Sequence, residues 1–259
     1  MSNTPSGGVS TFKLLNRKLA AKVKAAALRA GEPIEGEDAE AAGVAAEHPG
    51  VERWPVKTGT DADVAKVGVN EVNGEKLGPG VVDTTVEEML ALPRAANMPP
   101  VHSSFTKNSF YQNRRAAVTE TTVWRLTAFV SEAKLEQDGD YHLVLKGVSG
   151  QTMIGEIPNP DPAYVGNAVW RAYIKKSRDA MNAKLGGPLA PVDFNAATMG
   201  PPTHERPDDA PMADETAAMT KVGAQATVIG VGFFDSDHGQ TGVAPTAIEL
   251  HPIFSIAFA

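Results

Sequence analysis

Residues 223–259 read GAQATVIGVGFFDSDHGQTGVAPTAIELHPIFSIAFA. Two apolar, β-branched and aromatic runs, ATVIGVGFFD and AIELHPIFSIAF, flank a polar connection rich in Asp and Gly, the pattern of two buried strands joined by a loop. Gly230 and Gly232 inside the first run suit the sharp bends that a closing sheet needs. Working back from this pair, TTVWRLTAFVSEAKLE (121–136) is long enough for a curved strand, and Gln137-Asp138-Gly139-Asp140 signals a hairpin turn. YHLVLKG (141–147) and QTMIGEIP (151–158) read as the next two strands. A helix is expected over 161–185, with Asp161 as N-cap, Pro162 at the first helical position and Gly186-Gly187 as its stop. The order strand, strand, strand, helix, strand, strand predicts a mainly β fold with one core helix, a five-stranded OB-like barrel. A small open β-sandwich with one helix is the alternative.

Outside this unit the chain changes character. Residues 1–30 hold Lys13, Arg17, Lys18, Lys22, Lys24 and Arg29 and no acid, while the next twenty hold Glu32, Glu35, Glu37, Asp38, Glu40 and Glu47 and no Lys or Arg. We read 1–50 as a basic helical arm, its helix at 11–30, followed by an acidic linker. Leu15, Leu19, Val23, Ala26 and Ala27 give that helix a weak apolar stripe. Residues 51–119 read as extended and short helical pieces wrapping the core: Trp54-Pro55 is extended, Thr60 or Asp61 can cap a short turn, and Thr84 with Glu87 or Thr85 with Glu88 makes a capping box. Residues 120–259 form the barrel, interrupted by a Pro- and Asp-rich loop at 188–222.

Composition narrows the function classes. The 259 residues include no Cys, which removes disulfides, thiolate metal sites and Cys nucleophiles. No apolar run is long enough to cross a bilayer, and the N-terminal stretch lacks the apolar core of a secretory signal; a cytoplasmic protein, or part of a larger assembly, is the expectation. The net charge of −7 disfavours a general nucleic-acid surface. A local one could lie at 101–119, where aromatics alternate with Lys107, Arg114 and Arg115, with Arg125 as a further phosphate contact.

The candidate polar site is Asp235, Asp237, His238, Gln240, Glu249 and His251, with His142 able to reach the same end of a barrel. Glu249 and His251 are two apart and share one side of their strand. Asp235, His238, Glu249 and His251 are candidate ligands for a divalent metal, whose open position could activate water. The structural reading weighs against it. Asp235 and Asp237 can accept backbone hydrogen bonds, Gly239 and Gly242 can supply positive φ, His238, Gln240 and Thr241 can satisfy the loop, and Glu249 with His251 can be a buried pair.

The segments ERWPVKTGTDADVAKV, DTTVEEMLALP, DGDYHLVL, QTMIGEIP and GVGFFDSDHGQTGVAPTAIELHPI resemble a widespread family of uncharacterised bacterial proteins with an OB-like core. The resemblance covers roughly 51–186 and 223–256, and implies a fold but no activity. Members often carry a Cys just after the segment matching QTMIGEIP; this chain has Asn159-Pro160-Asp161 there, so any disulfide made by that Cys is missing. The first expectation for function is a non-enzymatic binding or assembly module, whose partner is a protein or a second copy engaged through residues 1–50. The alternatives are a metal-dependent, nuclease-like hydrolase using the Asp/His/Glu cluster, and a single-stranded nucleic-acid binder.

Overall fold

A computed structural model describes residues 17–29, 52–69, 71–72, 75–76, 80–105, 108–136, 138–190 and 219–259. The elements in chain order are α1 (Arg17–Arg29), α2 (Trp54–Thr58), β1 (Glu71–Val72), β2 (Glu75–Lys76), β3 (Val81–Asp83), α3 (Val86–Leu90), α4 (Ser109–Gln112), β4 (Val123–Leu135), β5 (Tyr141–Lys146), β6 (Thr152–Ile157), α5 (Ala168–Leu185), β7 (Thr220–Phe234) and β8 (Ile248–Phe258). The proposed linker at 31–50 and most of the 188–222 loop lie outside the described residues. No helix among those described is long and apolar enough to cross a membrane.

One six-stranded sheet dominates, in the order β3-β4-β5-β6-β8-β7, and β4 also pairs with β7. That extra pairing runs from Val123↔Val231 to Ala133↔Thr220 and curls the sheet partly into a barrel. The long runs read from sequence supply five of these strands. The sixth, β3, pairs parallel to the start of β4 through Val81↔Val123 and Asp83↔Arg125. It is too short for its period to be read in sequence. Gly230 and Gly232 sit where the β7–β8 register shifts, and a Cβ on Gly232 would come within 2.5 Å of the Thr119 carbonyl oxygen.

Alternation sorts each strand into two faces. Leu143, Leu145, Met153, Ile157, Leu250 and Ile253 join the main hydrophobic core with Trp124, Leu126 and Val228. Against this core lies α5, whose buried residues are Trp170, Ile174, Ser177, Arg178 and Met181. The helix starts six residues later than Asp161 as its cap would have it. Asp161 caps only a local turn, accepting from the Ala163 amide. Asn167 is the true cap: its side chain accepts from the Val169 and Trp170 amides and donates to the Gly59 carbonyl. Val169 is 60% exposed, and the buried stripe begins at Trp170.

The N-terminal pieces are fastened to this sheet. Val23 and Ala27 of α1 are buried in the core, and Lys24 pairs with Glu88 at 2.7 Å. The capping box of α3 is Thr85 with Glu88. Arg53, wholly buried at φ 58, is the strongest fastening. Its guanidinium forks onto Glu120 (2.7 and 2.8 Å) and also donates to the carbonyls of Tyr111 and Phe234. Glu120 in turn accepts from the Phe234 and Ala116 amides.

Gly59 ends α2 in the left-handed region (φ 73), with the Trp170 ring packed on its Cα. A Gly59→Ala side chain would therefore meet both an unfavourable φ and an aromatic ring. The expected loss is about 2–4 kcal/mol, combining overpacking with left-handed strain, read from the urea midpoint at unchanged m.

A candidate metal centre on the covered face of the sheet

The other face of β5, β6 and β8 carries polar groups. His142 pairs with Glu156 across β5–β6, and Ile154 pairs with Glu249 across β6–β8. Because side chains alternate, His142, Glu156, Glu249 and His251 all project from that one face. It is not open to solvent: His142 and His251 are fully buried, and Glu249 and Glu156 nearly so. The 235–247 connection folds across it. Gly242 presses on Val144, where a Cβ would come within 2.9 Å, and α2 brings Lys57 to the rim. The β4–β5 hairpin adds Glu136, Asp138 and the buried Asp140.

One hydrogen bond fixes a proton on His142. His142 Nε2 lies 2.8 Å from the Thr241 carbonyl oxygen, which can only accept, so Nε2 carries a proton. Nδ1 then faces Glu136 Oε1 at 3.2 Å and Glu156 Oε1 at 3.6 Å. His251 Nδ1 bonds Glu249 Oε1 at 3.2 Å and lies 2.7 Å from Glu156 Oε2, while its Nε2 is 3.5 Å from Asp140 Oδ2. Several of these contacts are close but out of line for a hydrogen bond. His142 Nδ1, Asp140 Oδ2, Glu156 Oε2 and His251 Nε2 are all buried without a protein hydrogen-bond partner. Their residues fall into two groups whose ligand atoms lie within 4.8 Å of one another: Glu136, His142 and Glu156; and Asp140, Glu156 and His251.

Carboxylates outnumber cations here, and the protonation states show it. Burial opposes charge on His142, but Glu136 and Glu156 outweigh it and raise its pKa to about 10. His251 is likewise held well above the imidazole range: burial opposes, and Glu156, Asp140 and Glu249 prevail. Burial and the nearby Glu156 push Glu249 up to about 8. Burial together with Asp140, Glu136 and Glu156 pushes Asp138 well above the carboxylate range. Glu156 goes the other way: against its burial, His251, His142 and Lys57 hold it well below. With no ion bound, the cluster therefore holds protons in place of a cation, the balance that a divalent ion would tip.

The sequence-derived candidates divide. Glu249, His251 and His142 meet in this cluster. Asp235 lies at its edge, paired with Lys57 at 3.1 Å and accepting from the Ser236 amide. His238 is exposed, and Asp237 accepts from the Gly239 amide and lies 3.4 Å from His102. Gln240 bonds the His238 amide and the Ser236 carbonyl. These groups knit the loop, with Gly239 and Gly242 at positive φ. The metal set of Asp235, His238, Glu249 and His251 is thus not assembled as one group; the loop turns His238 outward and Lys57 claims Asp235. Glu136, Asp138, Asp140 and Glu156 were not among the site residues read from the sequence. The signal for Glu156 was a lone acid in the apolar strand TMIGEI, and that for the two Asp was a hairpin turn taken as turn chemistry alone.

The basic candidates are committed elsewhere. Arg114 pairs with Asp63, and buried Arg115 forks onto Asp61 while stacking near Trp170. Arg125 pairs with Asp83 at 2.6 Å, beside a cleft of about 320 Å³ lined also by Thr84, Thr127 and Thr227. Lys107 lies outside the described residues. Comparison with protein-family models, with curated proteins and with solved structures finds no match to this chain.

Proposed function

We propose that this chain is an OB-type barrel that binds a divalent metal ion in its acid–histidine cluster. The barrel reading is supported by the closed circuit of pairings β4-β5-β6-β8-β7-β4, by the parallel β6–β8 pair and by α5 between β6 and β7. It agrees with the family resemblance seen in the sequence. The metal reading rests on one observation above all. His142 commits Nε2–H to a backbone carbonyl and aims Nδ1, buried and without a hydrogen bond, at two carboxylates. An imidazole oriented by a backbone acceptor, with its other nitrogen turned to carboxylates, is how histidines are set to ligate metals. Mixed imidazole and carboxylate donors suit zinc or manganese.

The cluster also lies where OB barrels commonly take their ligands, on the outer face of the second and third strands beside the loop joining the last two. Here that face is acidic and covered, which weighs against single-stranded nucleic acid as its occupant. The hydrolase reading needs the same ion, so metal binding comes first. Protein dialysed against Zn²⁺ or Mn²⁺ and then desalted should retain the ion, and EDTA should lower its melting temperature. At an ion concentration a hundred times Kd the linkage is about 2.7 kcal/mol, a shift of roughly 5–10 °C for a chain of this size. Neither retained metal nor a melting shift would leave a purely structural charge network and remove the proposal.

The arm retains a role as a partner surface. Lys18, Lys22 and Leu28 of α1 face solvent while Val23 and Ala27 are buried, so a docked helix offers a basic face to an acidic protein surface or a second copy. Reversing Lys18 and Lys22 to Glu should weaken self-association in sedimentation velocity; a wild-type protein that is monomeric throughout would leave no second copy for this face.

A further inference from the structure

The two ligand groups in the cluster are not alternatives for one ion, because they use opposite sides of one residue. Glu156 Oε1 faces His142 Nδ1, and Glu156 Oε2 faces His251 Nδ1. Its carboxylate therefore lies between the imidazoles like a bridge, with Glu136 completing one side and Asp140 the other. Each side has its own buried atoms that make no hydrogen bond: His142 Nδ1 on the first, Asp140 Oδ2 and His251 Nε2 on the second. We infer that the cluster holds a pair of divalent cations bridged by Glu156, an outer ion on Glu136 and His142 and an inner ion on Asp140 and His251. This rests on the metal-binding reading above.

The sides differ in what surrounds them. Asp140 and His251 have no exposed side-chain surface, and Glu249 accepts from His251 Nδ1 behind them. The inner ion is enclosed by protein and fixes the hairpin to β8. Glu136 keeps 23% of its side chain in solvent, so the outer ion lies nearest water and is the one that would carry an exchangeable water ligand. Lys57, near Glu156, Glu249 and Asp235, supplies positive charge beside the pair without being a ligand.

The test is stoichiometry in the full chain. Native mass spectrometry across a Mn²⁺ titration should show two ions per chain, and the loaded protein should give an exchange-coupled electron paramagnetic resonance spectrum. Glu136→Gln, a change at a partly exposed strand end, should keep one ion and give an uncoupled six-line spectrum. Asp140→Asn should likewise keep one, and Glu156→Gln should keep none with its near-ultraviolet circular dichroism unchanged. One ion in the wild-type chain, or loss of both in Glu136→Gln, overturns the pair and leaves the single-ion reading standing. No ion at all removes both readings together.

Discussion

Arg53→Met should destabilise the protein by about 3–5 kcal/mol, the usual effect of stranding a buried charge by removing its partner. Glu120 is wholly buried and would keep only the Phe234 and Ala116 amides as donors once the guanidinium is gone. The same change removes the hydrogen bonds to Tyr111 and Phe234 and the cation packed 4.5 Å from the Phe233 ring centre. For a chain of this length the melting temperature should fall by roughly 6–20 °C. Arg53→Met with Glu120→Gln should lose much less than the sum of the single changes, because the second replacement removes the stranded charge. Additive losses in urea denaturation would mean that Arg53 acts through packing alone. Its position makes the effect wide: it ties the segment before α2 to α4, to the residues before β4 and to the end of β7.

In EDTA the protein should lose stability steadily as the pH rises from about 6 to 10. The folded chain holds protons here that the unfolded chain releases. His142 is raised to about 10, so its contribution is complete below about 6.5, the ordinary imidazole value, and is lost as pH climbs through 10. At about 1.4 kcal/mol per pK unit that amounts to as much as roughly 5 kcal/mol. Glu249, raised to about 8, works in the same direction between the ordinary carboxylate range and pH 8. Glu156 and Asp235 are lowered, so their contribution is lost only as the pH falls below about 4. The stability maximum of the chelated protein should therefore lie near pH 5. With Zn²⁺ present, the ion takes the place of these protons, its affinity rises with pH, and the fall between pH 6 and 10 should be largely abolished. A chelated protein as stable at pH 9 as at pH 6 would show that the two histidines are neutral in the free protein.

Much of the sheet was legible because its strands announce themselves by composition. ATVIGVGFFD and AIELHPIFSIAF can hardly be anything else, and Gly230 and Gly232 marked the points where register shifts. β3 was not legible, since three residues have no readable period and its pairing with β4 is decided by tertiary contact. The start of α5 was misplaced because Asp161-Pro162 is a good local cap. The longer helix instead begins where Asn167 can also bond Gly59 and seat Trp170, a contact over a hundred residues away in sequence. For the site, spacing two apart placed Glu249 and His251 together correctly. It could not separate them from Asp237 and His238, because nothing in a sequence says which side a loop turns to water. Strand register brings Glu156 to Glu249 and His251, with His142 opposite Glu156 and Ile154 opposite Glu249, and the hairpin before β5 carries Asp140 to within 3.5 Å of His251.

The closing strands also bear on how the chain is made. β4 finds its long partner β7 about a hundred residues later, and β6 finds β8 at a similar remove. Until residues 220–258 leave the ribosome, one hydrogen-bonding edge of β4 and one of β6 stand open, on strands already rich in apolar side chains. Such distant pairings slow folding and lengthen the time in which those edges can meet another nascent chain. Removing Ile248–Phe258 would therefore do more than shorten the chain. It would leave the β6 and β7 edges unpaired and take Glu249 and His251 with it, producing a species that aggregates rather than a smaller folded one.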